Sequence, residues 1–277
     1  MKTVGITACS DAKRPESREQ VRELVRFLEA SGNRVLLSSC IFERPGARYS
    51  GEERAEQLMN LCSNPEVSDI YDISGGDMAN EVLDSLRYEV IRESRAVFWG
   101  YSDLTTVINA IYTKTGKSSV LYSAGNLVKG QDQDLQRQRF LEGKSLFSPE
   151  FTMIQGDCME GILVGGNIRC FLKLAGTEYF PDLQDKLLLL EARSGRVPQM
   201  VTFLSQLRSM GAFRKIRGIL LGTFSQMEKE ACTPDMVSLV QSFAGPELPL
   251  AKTREIGHGT DSKAIYIGKN LRITRET

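Results

Sequence analysis

Residues 96–116 read AVFWGYSDLTTVINAIYTKTG, and this run decides the fold. The apolar residues 96–99 predict a short buried strand, and 104–115 predict a helix that Gly116 stops. Between them Gly100-Tyr101-Ser102-Asp103 leaves room only for a tight turn. A strand passing at once into a helix is the repeating unit of a parallel sheet.

The same alternation extends outward from this unit. Residues 2–8, 34–38 (RVLLS), 69–73 and 118–122 (SSVLY) predict further strands, with 34–38 expected to be short and buried. Pro15 opens a helix that aligns Val21, Leu24, Val25 and Leu28 on one face, and Gly32 ends it. GEERAEQLMNLCS (51–63) is a second helical pattern, and 80–87 a third, directly after Gly75-Gly76. Strands alternating with helices indicate an α/β fold whose parallel sheet is covered on both faces. The polar stretch 126–150 reads as a connecting region, helical in part, between a first domain, 1–125, and a second, 151–277. In the second domain 151–154, 161–164, 186–190, 216–221 and 271–274 predict strands. Residues 167–175 and 198–210 predict helices, and 257–268 a turn plus strand.

Composition narrows the function. The chain has 277 residues, 41% hydrophobic and 25% charged, which suits a folded globular protein and not a disordered one. Thirty-five Lys and Arg balance 35 Asp and Glu, so the basic excess of a nucleic-acid binder is missing. No apolar run reaches membrane-spanning length, and the amino-terminal residues read as a first strand rather than a signal peptide. The six cysteines are scattered without a CxxC pair, which predicts buried, reduced thiols and a cytoplasmic protein. A single histidine cannot build a multi-histidine metal site, and no GxGxxG fingerprint is present, so neither metal nor cofactor is expected.

Four features can carry chemistry. Ser102 lies on a strand-to-helix turn at the carboxyl end of a parallel strand, where ligands bind in open sheets and a hydroxyl stands clear. It reads either as a nucleophile or as a helix cap. Gly75-Gly76 also follows a strand, and its backbone N–H groups can approach a ligand closely; a plain tight turn fits as well. His258, between Gly257 and Gly259, is an unhindered imidazole suited to carrying protons, or simply a lone surface residue. Glu191 ends the buried strand 186–190, where a carboxylate needs a cationic or N–H partner unless it lies just beyond in a loop. Together they supply nucleophile, acid and base in the chain order Ser, Glu, His.

SGGDMANEVLDSL (74–86), GYSDLTTVINAIYTKTG (100–116), GILVGGNIRCFLKLAGTEYFPDLQDKLLLLE (161–191), RGILLGTFS (217–225) and GHG (257–259) complete the pattern. In this order they resemble the LD-carboxypeptidase family, which includes muramoyltetrapeptide carboxypeptidases and microcin C self-immunity proteins. The resemblance implies a Rossmann-like amino-terminal domain and a smaller β-rich α+β carboxyl-terminal domain, with the active site between them. It further implies a metal-independent cytoplasmic homodimer with a Ser102–His258–Glu191 triad. Backbone N–H groups near Gly76 and Asp103 would form the oxyanion hole, and Gly75 and Asn167 would contact substrate. After Glu191 the family often turns acidic, whereas Ala192-Arg193-Ser194-Gly195-Arg196 is basic, so Arg193 and Arg196 become candidates for a substrate carboxylate. The expected activity is cleavage of an LD bond in a cell-wall peptide. Hydrolysis of a peptidyl or aminoacyl sulfamoyl-adenylate is the alternative within the family, and a catalytically idle peptide- or nucleotide-binding sensor is the alternative outside it. The expected partner is a small peptide or peptidyl-nucleotide, with no nucleic acid or membrane.

Overall fold

β1 (Lys2–Thr7), α1 (Arg18–Ala30), β2 (Asn33–Leu37), α2 (Gly51–Ser63) and β3 (Val67–Asp72) alternate in the computed structural model, which describes residues 1–275. They are followed by α3 (Tyr88–Glu93), β4 (Val97–Gly100), α4 (Thr105–Thr115) and β5 (Ser119–Leu121). Val21, Leu24 and Leu28 of α1 are buried, as their spacing predicts, and α2 begins with a capping box between Ser50 and Glu53. The five strands pair in parallel in the order β2-β1-β3-β4-β5. This is a doubly wound order whose direction reverses between β1 and β3, and ligands bind beyond the carboxyl ends of strands at such a point.

The second half adds α5 (Gln133–Glu142), β6 (Thr152–Gln155), β7 (Cys158–Asn167), α6 (Ile168–Leu172) and β8 (Lys186–Ala192). Next come α7 (Val197–Ser209), α8 (Ala212–Lys215), β9 (Gly218–Phe224), α9 (Ser225–Lys229) and α10 (Met236–Ala244). β10 (Leu250–Lys252), β11 (Ile265–Ile267) and β12 (Asn270–Thr274) complete the strands. A second six-stranded sheet runs β12-β7-β8-β9-β10-β6, with β7 to β10 parallel and an antiparallel strand at each edge. β8 is its centre, and Leu187, Leu188, Leu189 and Leu190 have no exposed surface.

Several expectations are corrected. β2 is a half-exposed edge strand rather than a buried one, because only β1 pairs with it; Leu37 is 53% exposed. The helical segment expected over 80–87 is a 3-10 helix over 79–85. The helix expected over 167–175 shrinks to the five residues of α6, because β7 continues through Asn167 and residues 173–175 tighten into turns whose N–H groups bond three residues back. Residues 126–150, whose helical part is α5, lie against the first sheet rather than apart from it, and there Gln136 accepts from the Tyr122 hydroxyl (2.9 Å). β11 also returns to that sheet and pairs antiparallel with β5.

α4 joins the two sheets. Residues 105–111 are buried in an unbroken run, so the helix is covered on all sides. Asn109 sits inside this run and forms two hydrogen bonds with the backbone of Gly165 on β7, both at 2.9 Å. The Asn167 N–H donates to Thr105 Oγ (3.1 Å). The helix that follows Ser102 is thereby fixed to the strand beside Glu191, since Asn167 stands in register with Glu191.

Candidate active site

Ser102 has φ +56°, in the left-handed region that an L-residue enters at a cost of about 1–2 kcal/mol. Its neighbours hold it there. The Leu104 N–H donates to the Tyr101 carbonyl (3.1 Å), and the Tyr122 N–H, just past β5, donates to the Gly100 carbonyl (2.9 Å). The fully buried Asp103 carboxylate draws three other segments to the turn. It accepts from Ser10 Oγ and the Ala79 N–H, both at 2.7 Å, and from Lys173 Nζ at 2.6 Å. Such over-determination is what lets a strained residue persist at a functional turn.

The double-glycine turn is built on Asp72 at the end of β3. One Asp72 oxygen accepts from the Ser74 N–H (2.9 Å) and Ser74 Oγ (2.6 Å); the other accepts from the Cys9 N–H (2.7 Å). Burial raises the pKa of this carboxyl above its ordinary value, with these hydrogen bonds acting in opposition. Gly76 has φ +139°, and a Cβ there would collide with the Asp11 side chain. Only glycine fits, which leaves its backbone open toward the cleft.

Glu191 lies on β8 with no exposed surface. Its Oε2 faces His258 Nδ1 at 2.8 Å and accepts from the Tyr101 hydroxyl at 3.1 Å. The His258 loop reaches the strand because Gly222 on β9 permits a close crossing. A Cβ at Gly222 would lie 3.0 Å from Glu191 Cβ and collide with the Ile256 carbonyl. The Tyr101 ring meets the imidazole edge-on, with centroids 4.7 Å apart. An ionised Glu191 only accepts, so Nδ1 carries the proton and Nε2 keeps its lone pair. Nε2 is buried without a hydrogen-bond partner among the described residues, and so is Glu191 Oε1. An imidazole held in this way can accept a proton at Nε2.

Ser102 and His258 line one cavity of about 410 Å³, together with Gly75, Gly76, Tyr101 and Arg193. The structure therefore gathers most of the sequence-predicted residues at the carboxyl ends of the first sheet. No hydrogen bond joins Ser102 to Nε2 among the described residues. Asn167 lies outside the lining, and its Oδ1 caps α6 by accepting from the Cys170 N–H (3.3 Å). Arg196 is also outside and forms a bidentate pair with Glu230 at 2.6 and 3.1 Å. No cluster of three His, Cys, Asp or Glu fit to hold a metal occurs among the described residues, and no helix among them is long and apolar enough to cross a membrane. Sequence reading missed Tyr101, Asp72 and Lys173. Tyr101 stood beside Ser102 in the deciding stretch, but its partners lie 90 and 157 positions away.

Comparison with known proteins places the chain in a family. A model of the LD-carboxypeptidase N-terminal domain matches residues 4–122, and one of the LD-carboxypeptidase C-terminal domain matches residues 160–273. A probable murein peptide carboxypeptidase of Bacillus subtilis is 26% identical, the match covering 96% of this chain and 86% of that protein. The microcin C7 self-immunity protein MccF of Escherichia coli is 24% identical over 98% of this chain and 90% of its own. The structure of MccF in complex with glutamyl sulfamoyl guanosine superposes with a TM-score of 0.86 at 18% identity, covering 99% of this chain and 93% of that one. The crystal structure of muramoyltetrapeptide carboxypeptidase from Oxalobacter formigenes gives 0.83 at 22%, covering 99% and 96%. Both structures share the fold. With its two domain models matched in order over most of its length, the chain belongs to the LD-carboxypeptidase family of serine peptidases.

Proposed function

We propose that the protein is a serine carboxypeptidase that cleaves an LD peptide bond in a cell-wall-derived peptide. The observation that carries this reading is the 2.8 Å Glu191–His258 pair, whose unpartnered Nε2 belongs to the same cavity as the left-handed Ser102. His258 takes the Ser102 proton at Nε2 as Oγ attacks the scissile carbonyl. Glu191 fixes the Nδ1–H tautomer and stabilises the imidazolium as it forms. Backbone N–H groups of Gly76 and Asp103 receive the charge on the carbonyl oxygen, and the imidazolium then protonates the leaving amine. Water, activated by the same imidazole, releases the acyl group from Ser102.

Arg193 lines this cavity and presents a guanidinium to a substrate carboxylate. This reading carries a cytoplasmic homodimer, which rests on the family resemblance. A second reading has one specific support: solved MccF complexes hold glutamyl sulfamoyl guanosine and aspartyl sulfamoyl adenosine on the same fold. The test compares native protein and Ser102→Ala on a tetrapeptide ending in D-Ala and on an aminoacyl sulfamoyl-adenylate. D-Ala release by the native protein alone is the expected result. Cleavage of the adenylate alone moves the protein to the immunity branch, and cleavage of neither leaves a binding protein.

A further inference from the structure

Across the whole chain positive and negative residues are equal in number, yet the cavity that holds Ser102 and His258 is lined by Lys13, Lys129 and Arg193 and by no Asp or Glu. Three exposed arginines elsewhere stand opposite carboxylates, Arg44 with Glu53, Arg48 with Glu81 and Arg196 with Glu230, whereas this lining contains no carboxylate. Lys13 and Lys129 both come from the first sheet's side, after β1 and after β5, whereas Arg193 follows β8 of the second. The Lys13 backbone is fixed by exchange with the neighbouring loop, donating to the Ile41 carbonyl (2.7 Å) and accepting from the Glu43 N–H (2.9 Å). Lys129 lies along Gly125, with its Cε 3.2 Å from where a Cβ would stand, so a side chain at that position would displace it.

We propose that Lys13 and Lys129 form a second anion subsite in the cleft, separate from Arg193, so that the substrate carries at least two negatively charged groups. Two ammonium groups facing one cavity repel each other, and an anion seated between them removes that cost. Burial and the Lys129 charge both depress the Lys13 pKa. The carboxylate that favours its charge is Asp72, which Cys9 and Ser74 already engage. The ligand group is a carboxylate or phosphate on the part of the substrate remote from the scissile bond. This inference deepens the peptidase reading of the same cleft and rests on it for the word substrate, but its test does not require turnover.

The Ser102→Ala protein is titrated separately with glutarate and with inorganic phosphate, following backbone amide shifts at Lys13, Gly125 and Lys129. Saturable binding of at least one anion is expected, weakened about tenfold or more in Lys13→Met/Lys129→Met, as loss of charge-assisted hydrogen bonds requires. Lys13→Arg/Lys129→Arg should restore it, which separates charge from folding. Glutarate preference identifies a carboxylate as the source, and phosphate preference a phosphate. Equal binding by the Met pair, or no saturable binding of either anion, overturns the proposal. Anion binding with no D-Ala release by the native protein would instead refute only the peptidase reading.

Discussion

Tyr101 donates its hydroxyl to Glu191 Oε2 across 3.1 Å, on the same oxygen that faces His258 Nδ1. Tyr101 directly follows β4 of the first sheet and Glu191 lies on β8 of the second, so this bond ties the candidate nucleophile turn directly to the acid–base pair. Burial and the adjacent Glu191 charge raise the Tyr101 pKa well above that of an ordinary phenol, so it remains a donor through the alkaline range. Tyr101→Phe keeps the ring against His258 and removes only that donor. We expect kcat to fall about tenfold, the equivalent of one neutral-to-charged hydrogen bond of about 1.5 kcal/mol, with KM little changed. A full rate profile against pH is the measurement. Native-like kcat in the variant would show that the bond has no part in orienting Glu191.

Ser102 allows strain and chemistry to be separated. Ser102→Ala and Ser102→Gly both lack the hydroxyl, and both should lose activity by about 10⁴-fold or more if it is the nucleophile. They differ in backbone freedom, because alanine at φ +56° retains the left-handed cost and glycine does not. Ser102→Gly should therefore be the more stable of the two by about 1 kcal/mol in urea unfolding. Equal stability would mean that the turn relaxes once the hydroxyl is gone.

What the chain revealed of itself follows the range of the interactions. Strands β1, β3, β4, β5 and β8 stand close to their expected positions because apolar runs between glycine and polar turns are local signals. β10 is three residues long and α10 follows a Pro-containing loop, and neither was expected. β2 was misjudged because RVLLS is apolar enough for a core strand, and only the strand order shows that it is an edge. Ser102, Gly76, Glu191 and His258 were each locally conspicuous, as a turn serine, a double glycine, a strand-end acid and the sole imidazole. Asp103 was conspicuous only as a backbone donor. That its carboxylate binds Lys173, 70 positions later, is a property of the packed fold.

That pair yields a double-mutant test. Lys173 is 20% exposed and Asp103 has no exposed side-chain surface, so removing the ammonium leaves a buried carboxylate supported by Ser10 and the Ala79 N–H alone. Lys173→Met should cost about 2–4 kcal/mol of stability, somewhat below a fully buried pair because the amine is partly solvated. Asp103→Asn combined with Lys173→Met should cost less than the sum of the two single changes. Denaturant unfolding of all four proteins measures the coupling. Strict additivity would show that the pair contributes nothing beyond its separate contacts.

Asp72 gives a prediction whose sign decides between two forces. Burial raises its folded-state pKa, while the bonds from Cys9 and Ser74 lower it, and burial is the larger effect. The folded chain thus holds the Asp72 proton more tightly than the unfolded chain does. Stability from this group is fully present below the ordinary value of 3.8 and is lost as pH rises through the raised folded value. Asp72→Asn has nothing to titrate there, so the variant should gain stability relative to the native protein as pH climbs through that interval, then hold a constant difference toward neutrality. Paired urea titrations from acid to neutral pH read the difference curve. A variant that instead falls behind as pH rises would show that the three donated hydrogen bonds outweigh burial, and that the ionised Asp72 holds the double-glycine turn in place.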